Sequence, residues 1–272
     1  MLGPGYAGCA RDSRCLRMIG NVSLSTIPTL PDICPEDDLA LIIGNALETH
    51  GVENGDILCI AHKIVSKAEG AILKLEEIKP SAEALDYAEK LNKNPKKVEI
   101  VLRQSKRVVR AFKRPQQNEG TMICEHHLGF ISANAGVDES NSELGTVITL
   151  PDDPDASARR IGQRLEDRFG VQLGIVITDT FGRPWRLGQV NVAIGLYRVP
   201  AITSDVGTKD AWGRDLSVTE PALCDELAAA SGLLIKKAAK TPIVLFRGLK
   251  WTTEEKTSAR NILRSNSEDM FR

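Results

Sequence analysis

Two short segments in which nearly every residue is apolar constrain the fold of this chain most strongly. Residues 56–61 (DILCIA) and 173–178 (LGIVIT) are short, continuously apolar runs that lack the alternation of half-exposed strands. We therefore expect both to be strands buried within a sheet. Each runs directly into a polar segment, and side chains at a strand end are held in place at the edge of a sheet.

Signals for helices and further strands surround these two segments. Helix starts are indicated by a capping side chain or an early proline at Asp37 or Asp38, Ser81, Pro95, Asp153-Pro154 and, most clearly, Thr219-Glu220-Pro221. Further strand candidates are 24–27, 71–75, 107–112, 121–124, 128–132, 146–150 and 242–246, and residues 190–197 (VNVAIGLY) form a further apolar stretch. The mixture favours an α+β or a mixed α/β fold over a regular βαβ winding, and we expect mixed sheets, packed helices and two interleaved subdomains. Residues 18–272 would form a single domain, with a small inserted subdomain at about 80–132.

Composition excludes several classes of protein. The chain has 35 Lys and Arg against 36 Asp and Glu, and 42% of its 272 residues are apolar. Mixed, balanced charge argues against a nucleic-acid partner, and the apolar fraction is too high for disorder. No apolar run approaches the roughly 18 residues that span a bilayer, so no membrane partner is expected.

The cysteines and the amino terminus bear on the compartment. The six cysteines form no C-x-x-C pair, which favours the reducing cytoplasm, and Cys59, Cys124 and Cys224 are expected in the core. Residues 1–17 lack the apolar stretch of a signal peptide. They are either a disordered tail or a segment preceding a true start at Met18.

Two polar segments offer groups for binding phosphate or a cation. His62-Lys63 and Lys67 follow the first apolar strand, where lysines can meet phosphate, although a solvated helix start is the more common arrangement. In residues 134–141 (NAGVDESN), Asp138 and Glu139 supply hard oxygen ligands that suit Mg²⁺ or Mn²⁺. The same residues could equally form an Asx-rich turn.

The segment that follows the second apolar strand, DTFGRPWRLG, has the strongest functional signal. An aspartate such as Asp179 at the end of a buried strand is typical of a cation site in phosphate chemistry, and Thr180 adds an oxygen. Gly182 would let a ligand approach the backbone, while Arg183 and Arg186 can offset anionic charge. A surface turn would hardly need so many specialised residues together.

The remaining polar features are less informative. Residues 205–215 contain Asp, Gly and Arg, and their composition does not separate a functional loop from a solvated one. His126-His127 has no partner at ligand spacing and is expected to be a surface or edge pair. The chain contains no G-x-x-x-x-G-K-[ST], G-x-G-x-x-G or G-x-S-x-G motif. The residues alone thus predict a cytoplasmic enzyme with a divalent-cation site and basic groups for a polyanionic substrate.

At these same places the sequence resembles a known family. The segments are NAGVDESN, VITDTFGRPWRLGQVNVAIG, GTKDAWGRDLSVTEPALCDELAAASGLL, IVSKAEG, LPDDPDASARR and PIVLFRGL. They are similar to coenzyme F-420-0:L-glutamate ligase, the gamma-glutamyl ligase of deazaflavin coenzyme biosynthesis, from about Leu24 to Leu249. The resemblance implies an α+β fold and an intertwined homodimer.

The resemblance also implies a reaction. L-glutamate is added to the phospholactyl carboxylate of F-420-0, and a second glutamate to the γ-carboxylate of the first. GTP is the co-substrate and an acyl phosphate the intermediate. Mg²⁺ or Mn²⁺ is implied at two positions per site, and K⁺ is a candidate additional cation.

Individual residues match the functional positions of the family. Asp138 and Asp179 match carboxylates that hold one cation, and Thr180 matches a ligand at the second. The remaining catalytic candidate is Arg183. The matched GTP-binding positions are Leu30, Pro31, Asp32, Ile33, His62, Lys63, Lys67 and Asn141.

Two departures leave alternatives open. His62 and Lys63 stand where small hydroxyl residues often contact the nucleotide, and Lys237 stands where a ligand of the second metal is expected. A charged lysine cannot coordinate Mg²⁺. The alternatives are a paralogous amino-acid ligase with another acceptor and a nucleotide-binding protein without catalysis.

Overall fold

A computed structural model describes residues 20–27, 30–236, 240–265 and 267–269. The strands are β1 (Ser23–Thr26), β2 (Ile57–Ala61), β3 (Ile72–Lys74), β4 (Ser105–Phe112), β5 (Thr121–His126), β6 (Ile131–Ala133), β7 (Thr146–Ile148), β8 (Gly174–Arg183), β9 (Arg186–Tyr197) and β10 (Ile243–Arg247). The helices are α1 (Leu39–His50), α2 (His62–Ala68), α3 (Ala82–Leu91), α4 (Pro95–Gln104), α5 (Pro154–Phe169) and α6 (Leu223–Ser231). Residues 1–17, Met18 and Lys237 lie outside the described residues, so the predictions made for them stay predictions.

The two apolar segments lie side by side in a five-stranded sheet of order β1-β10-β2-β8-β9. Strands β2 and β8 pair in parallel, whereas the other neighbours in this sheet are antiparallel. Ile57, Leu58, Ile175 and Val176 are fully buried, as continuous apolar runs predict. The mixed sheets and six helices confirm the α+β class.

Helix α5 shows how local signals set the element bounds. The side chain of Asp153 accepts a hydrogen bond from the Ala156 amide, and Pro154 occupies the first turn. Gly170 ends the helix in the left-handed conformation. Ile161 and Leu165 are buried against the central core.

A second group of elements surrounds its own apolar cluster. Helices α3 and α4 pack with the three-stranded sheet β4-β5-β6. The buried members of this cluster are Ala84, Ala88, Leu91, Val98, Val101, Met122, Cys124 and Ala135. Whether this group is a separate subdomain, and whether two subdomains interleave, stay predictions.

One predicted helix start is wrong. Helix α6 begins at Leu223, and its cap position, Ala222, makes no side-chain capping bond. The backbone carbonyls of Thr219 and Pro221 instead accept hydrogen bonds from Asp205 and Thr203. This pairing across the loop holds residues 219–221 outside the helix, which their sequence signal did not indicate.

The three cysteines expected in the core are buried. Burial raises the pKa of the Cys59 and Cys124 thiols, and it raises that of Cys224 to about 12. Within the described residues Cys34 is exposed, and all four of these thiols are free. No helix in the described part of the chain is both long enough and apolar enough to cross a membrane.

Candidate active site

The parallel pairing of β2 and β8 brings two polar segments to one edge of the central sheet. Ala61 is in register with Thr178, so the residues that follow, His62 and Asp179, are neighbours. Helix α2 begins at His62 immediately after β2. The Nε2 atom of His62 lies 3.2 Å from Oδ1 of Asp179.

The His62 ring is almost completely enclosed, with 2% of the residue exposed. Its Nδ1 atom lies 3.1 Å from Oγ of Ser66, one turn along α2. The contact from Nε2 to Asp179 has the distance of an ion pair but not the direction of a hydrogen bond. Nε2 is therefore a buried nitrogen without a hydrogen-bond partner among the described residues.

Lys63 joins α2 to the NAGVDESN segment. Its Nζ lies 2.5 Å from Oδ2 of Asp138 and also contacts Oγ of Ser140. The amide and hydroxyl of Ser140 each donate to the Asp138 carboxylate at 2.8 Å. Burial raises the pKa of Asp138, but the hydrogen bonds from Lys63 and Ser140 outweigh it and lower the pKa to about 2.

Replacing Lys63 with glutamine is expected to raise the pKa of Asp138, because the hydrogen bond and the positive charge of Lys63, which both lower this pKa, would be changed or lost. In the native protein the carboxylate contributes stability above its ordinary pKa of 3.8, and this is lost as the pH falls through about 2. A ¹³C NMR titration of the aspartate carboxyl groups measures the change. Lys67→Gln, on the same helix, is the control. An unchanged Asp138 titration in the Lys63 variant would contradict the assignment of the shift.

The segment after the second apolar strand does not form the predicted loop at a strand end. Strand β8 continues through Asp179 to Arg183, and β9 begins at Arg186, so the polar residues lie on a long hairpin. Thr180 Oγ1 donates a 2.8 Å hydrogen bond to Oδ1 of Asn191 on β9. The hairpin thus holds Asp179 and Thr180 by backbone pairing as well as by side chains.

Among the described residues, the other predicted residues make no hydrogen bond or ion pair with His62 or Asp179. Arg183 lies at the far end of the hairpin, where its guanidinium donates to the carbonyl of Leu187. Lys67 lies one turn beyond Lys63 on α2, and Asn141 has a left-handed backbone with φ of 61°.

In the proposed GTP loop, Leu30 and Ile33 are buried in the core, whereas Pro31 and Asp32 are exposed. Lys240 Nζ lies 3.1 Å from Oδ1 of Asp32. Of these four positions, only the exposed Pro31 and Asp32 are accessible to a nucleotide.

Two residues of the centre were missed by sequence reasoning. Ser66 could have been found from its position four residues after His62, which places both on one face of a helix. Asn191 is the polar residue within the apolar stretch VNVAIGLY. That position gave a usable signal, because a buried polar side chain in a strand needs a partner.

The prediction of a surface or edge pair at His126-His127 is wrong for His126, which is buried on the middle strand of the sheet β4-β5-β6. Strand β5 extends through His126, which is 4% exposed. Its Nδ1 accepts a hydrogen bond from the Leu128 amide, and burial lowers its pKa to about 4. His127 is exposed, as predicted.

In the segment 205–215, the Asp210 carboxylate accepts hydrogen bonds from the amides of Trp212 and Arg214. These bonds explain Asp210 as part of a turn.

The donor atoms at the sheet edge suit a divalent cation shared with phosphate. Within the described residues, no three His, Cys, Asp or Glu side chains converge as they would around a fully protein-bound metal. Mg²⁺, however, is commonly held by one or two carboxylates and takes its other ligands from water and substrate phosphates. Asp179 and Thr180 offer oxygens of this kind, and the unpartnered Nε2 of His62 faces the same position.

Comparison with known proteins decides the family. The profile of a family described as F420-0:Gamma-glutamyl ligase matches residues 28–248. The chain belongs to this family. It is 45% identical over 253 residues to the Coenzyme F420:L-glutamate ligase of Methanopyrus kandleri, covering 92% of this chain and 97% of that protein. The protein of the same name from Methanothermobacter thermautotrophicus is 41% identical, covering 92% and 99%.

A relative from Archaeoglobus fulgidus with the same name is 36% identical, covering 92% of this chain and 96% of that protein. Membership of the F420-0:gamma-glutamyl ligase family makes this chain a ligase of coenzyme F420 biosynthesis. The segments that carry the resemblance in the sequence therefore identified the family correctly.

Proposed function

We propose that this member of the F420-0:gamma-glutamyl ligase family is a GTP-dependent enzyme that adds L-glutamate to coenzyme F420-0. The first glutamate would join the phospholactyl carboxylate, and the second would join the γ-carboxylate of the first. The observation that carries the proposal is the meeting of His62 and Asp179 at the edge of the central sheet, with Lys63 held against Asp138 beside them.

The proposed reaction needs positioning and neutralisation of charge more than covalent chemistry by the protein. The acceptor carboxylate takes the γ-phosphoryl group of GTP and forms an acyl phosphate, with GDP leaving. The amine of glutamate then attacks the acyl carbon, so that an amide forms and phosphate departs. A bound Mg²⁺ or Mn²⁺ would supply charge neutralisation on the phosphate oxygens.

The residues of the chain have distinct proposed roles. Asp138, Asp179 and Thr180 would hold the cations. Lys63, in the first turn of α2, and Lys67, in its last turn, would face the phosphates as point charges. The nucleotide contacts proposed for Asn141 and for residues 30–33 rest on the family resemblance.

Arg183 is retained as a proposed catalytic residue on the resemblance alone. It lies at the last position of β8, four residues along the strand from Asp179. Trp185 and Leu187 at the same hairpin end are 83% and 90% exposed. Large exposed apolar side chains of this kind support the homodimer, which stays a prediction.

Purified protein given GTP, Mn²⁺, L-glutamate and F420-0 is expected to release GDP and to form glutamylated product. Mass spectrometry of the product and a GDP assay measure the two together. Omitting glutamate is the control, because amide formation then has no amine. Failure to release GDP with the complete mixture would contradict the ligase proposal.

The same assay separates the alternatives. Product with another amino acid but not with glutamate would favour a paralogous ligase. Nucleotide binding without turnover would favour a protein without catalysis. Replacing Mn²⁺ by Mg²⁺, and adding or removing K⁺, tests the cation requirements, including the second divalent cation. A cytoplasmic location is part of the proposal, supported by the free thiols of the four described cysteines.

A further inference from the structure

His62 has a buried nitrogen for which the described residues supply no hydrogen bond. The residue is 2% exposed, and Nε2 is among the few buried polar atoms of the described residues without a partner. Burying a polar group without a partner costs roughly 1–3 kcal/mol, so such atoms require an explanation. The neighbour of Nε2 is a carboxylate oxygen of Asp179 at 3.2 Å, which lies off the direction in which a ring N–H would point.

The hydrogen bond of the other ring nitrogen is compatible with a lone pair on Nε2. Nδ1 lies 3.1 Å from Oγ of Ser66, a hydroxyl that is itself fully buried. When Nδ1 carries the proton and donates it to this hydroxyl, Nε2 presents a lone pair towards Asp179. A lone pair and a carboxylate oxygen at this separation repel each other unless a cation lies between them.

The geometry fits two donors on one cation. Ligands at right angles on a cation with bonds of about 2.1 Å are separated by about 3 Å, close to the distance found here. A cation also explains why the contact between Nε2 and Oδ1 lacks the direction of a hydrogen bond, because each of the two atoms would point at the cation and not at the other atom. Ser66 then has the role of the outer partner that fixes the orientation of a ligating imidazole.

We propose that His62 is a direct nitrogen ligand, beside Asp179, of the divalent cation, and that it shifts the preference of the site from Mg²⁺ towards Mn²⁺. The inference rests on the proposed function, which provides the cation. Imidazole nitrogen suits transition metals, whereas Mg²⁺ prefers oxygen ligands. His62 is therefore a residue that determines metal specificity.

Pulsed EPR of Mn²⁺ bound to the full chain tests the proposal directly, since a coordinated ¹⁴N nucleus modulates the electron spin echo. Inorganic tripolyphosphate serves as the second ligand, because it contains no nitrogen that could imitate the signal. We expect ¹⁴N modulation in the native protein and its disappearance in protein grown with ¹⁵N-labelled histidine. The labelled sample needs no substitution, so the test holds even where a variant fails to fold.

Substitutions assign the signal to one of the four histidines of the chain. His62→Ser should remove the modulation and lower the ratio of Mn²⁺ to Mg²⁺ affinity on the order of tenfold. His127→Ser, at an exposed histidine on β5–β6, should change neither. Ser66→Ala should retain the modulation but weaken Mn²⁺ binding by a similar factor.

The outcomes are distinct. Bound Mn²⁺ without ¹⁴N modulation in the native protein would overturn the role of His62 and leave the proposed function standing. Modulation that survives His62→Ser would likewise overturn it. Absence of any bound Mn²⁺, with tripolyphosphate present, would overturn the cation site and with it the proposed function.

Discussion

Asp179→Asn is expected to reduce GDP release at least on the order of a hundredfold, because a neutral amide cannot replace the charge that we propose to hold a cation at the sheet edge. The side chain keeps its shape, and its position within β8 is fixed by backbone pairing with β9. We therefore expect the melting temperature to change by no more than about 2 °C. Steady-state GDP release and thermal unfolding of the same preparation measure the two effects.

A second aspartate variant distinguishes the loss of charge at the site from a change in the net charge of the protein. Asp167 lies on the exposed face of α5, so Asp167→Asn changes the net charge of the protein equally. It should leave both turnover and stability near the native values. Loss of folded Asp179→Asn protein would make Asp179 a structural residue, and full activity would remove it from the proposed site.

Gly195→Ala is expected to destabilise the fold by about 3 kcal/mol, because an added Cβ overpacks a contact between main chains. The methyl group would lie 2.5 Å from the carbonyl carbon and oxygen of Pro154, the first residue of α5. Backbone atoms cannot move aside as the end of a flexible side chain can. The helix would have to shift away from β9, and urea unfolding should show a lower midpoint.

Gly182 provides the control on the same hairpin. A Cβ there would meet nothing within 4 Å, and its backbone lies outside the left-handed region. Gly182→Ala should therefore change the free energy of unfolding by less than about 0.5 kcal/mol. If the two variants have the same free energy of unfolding, α5 can move relative to β9 without loss of stability, which would contradict the prediction.

Much of the fold could be predicted from local sequence. The paired signals at Asp153-Pro154 and Gly170 set both ends of α5, and the two apolar segments became adjacent buried strands. The failure at Thr219-Glu220-Pro221 has a physical cause. A cap and a proline permit a helix, but hydrogen bonds from Thr203 and Asp205 hold those residues in another conformation.

Some residues of the candidate site could be predicted from local sequence, and others could not. Asp138, Asp179 and Lys63 were found because polar residues next to buried strands are conspicuous in a sequence. The outer contacts of Ser66 and Asn191 were not, because each depends on a partner on the facing side of a helix or a neighbouring strand. Arg183 was grouped with Asp179 by its proximity in sequence, but an extended strand carries it away from Asp179.

By itself, the sequence determined the family, the α+β class and the segments that could carry charge or phosphate, because these follow from residue type and short-range spacing. Only the tertiary structure decided that His62 is buried against Asp179 and that Lys63 holds Asp138. These contacts join segments far apart in the chain. They arise from the parallel register of β2 and β8 and from the packing of α2, which local spacing does not encode.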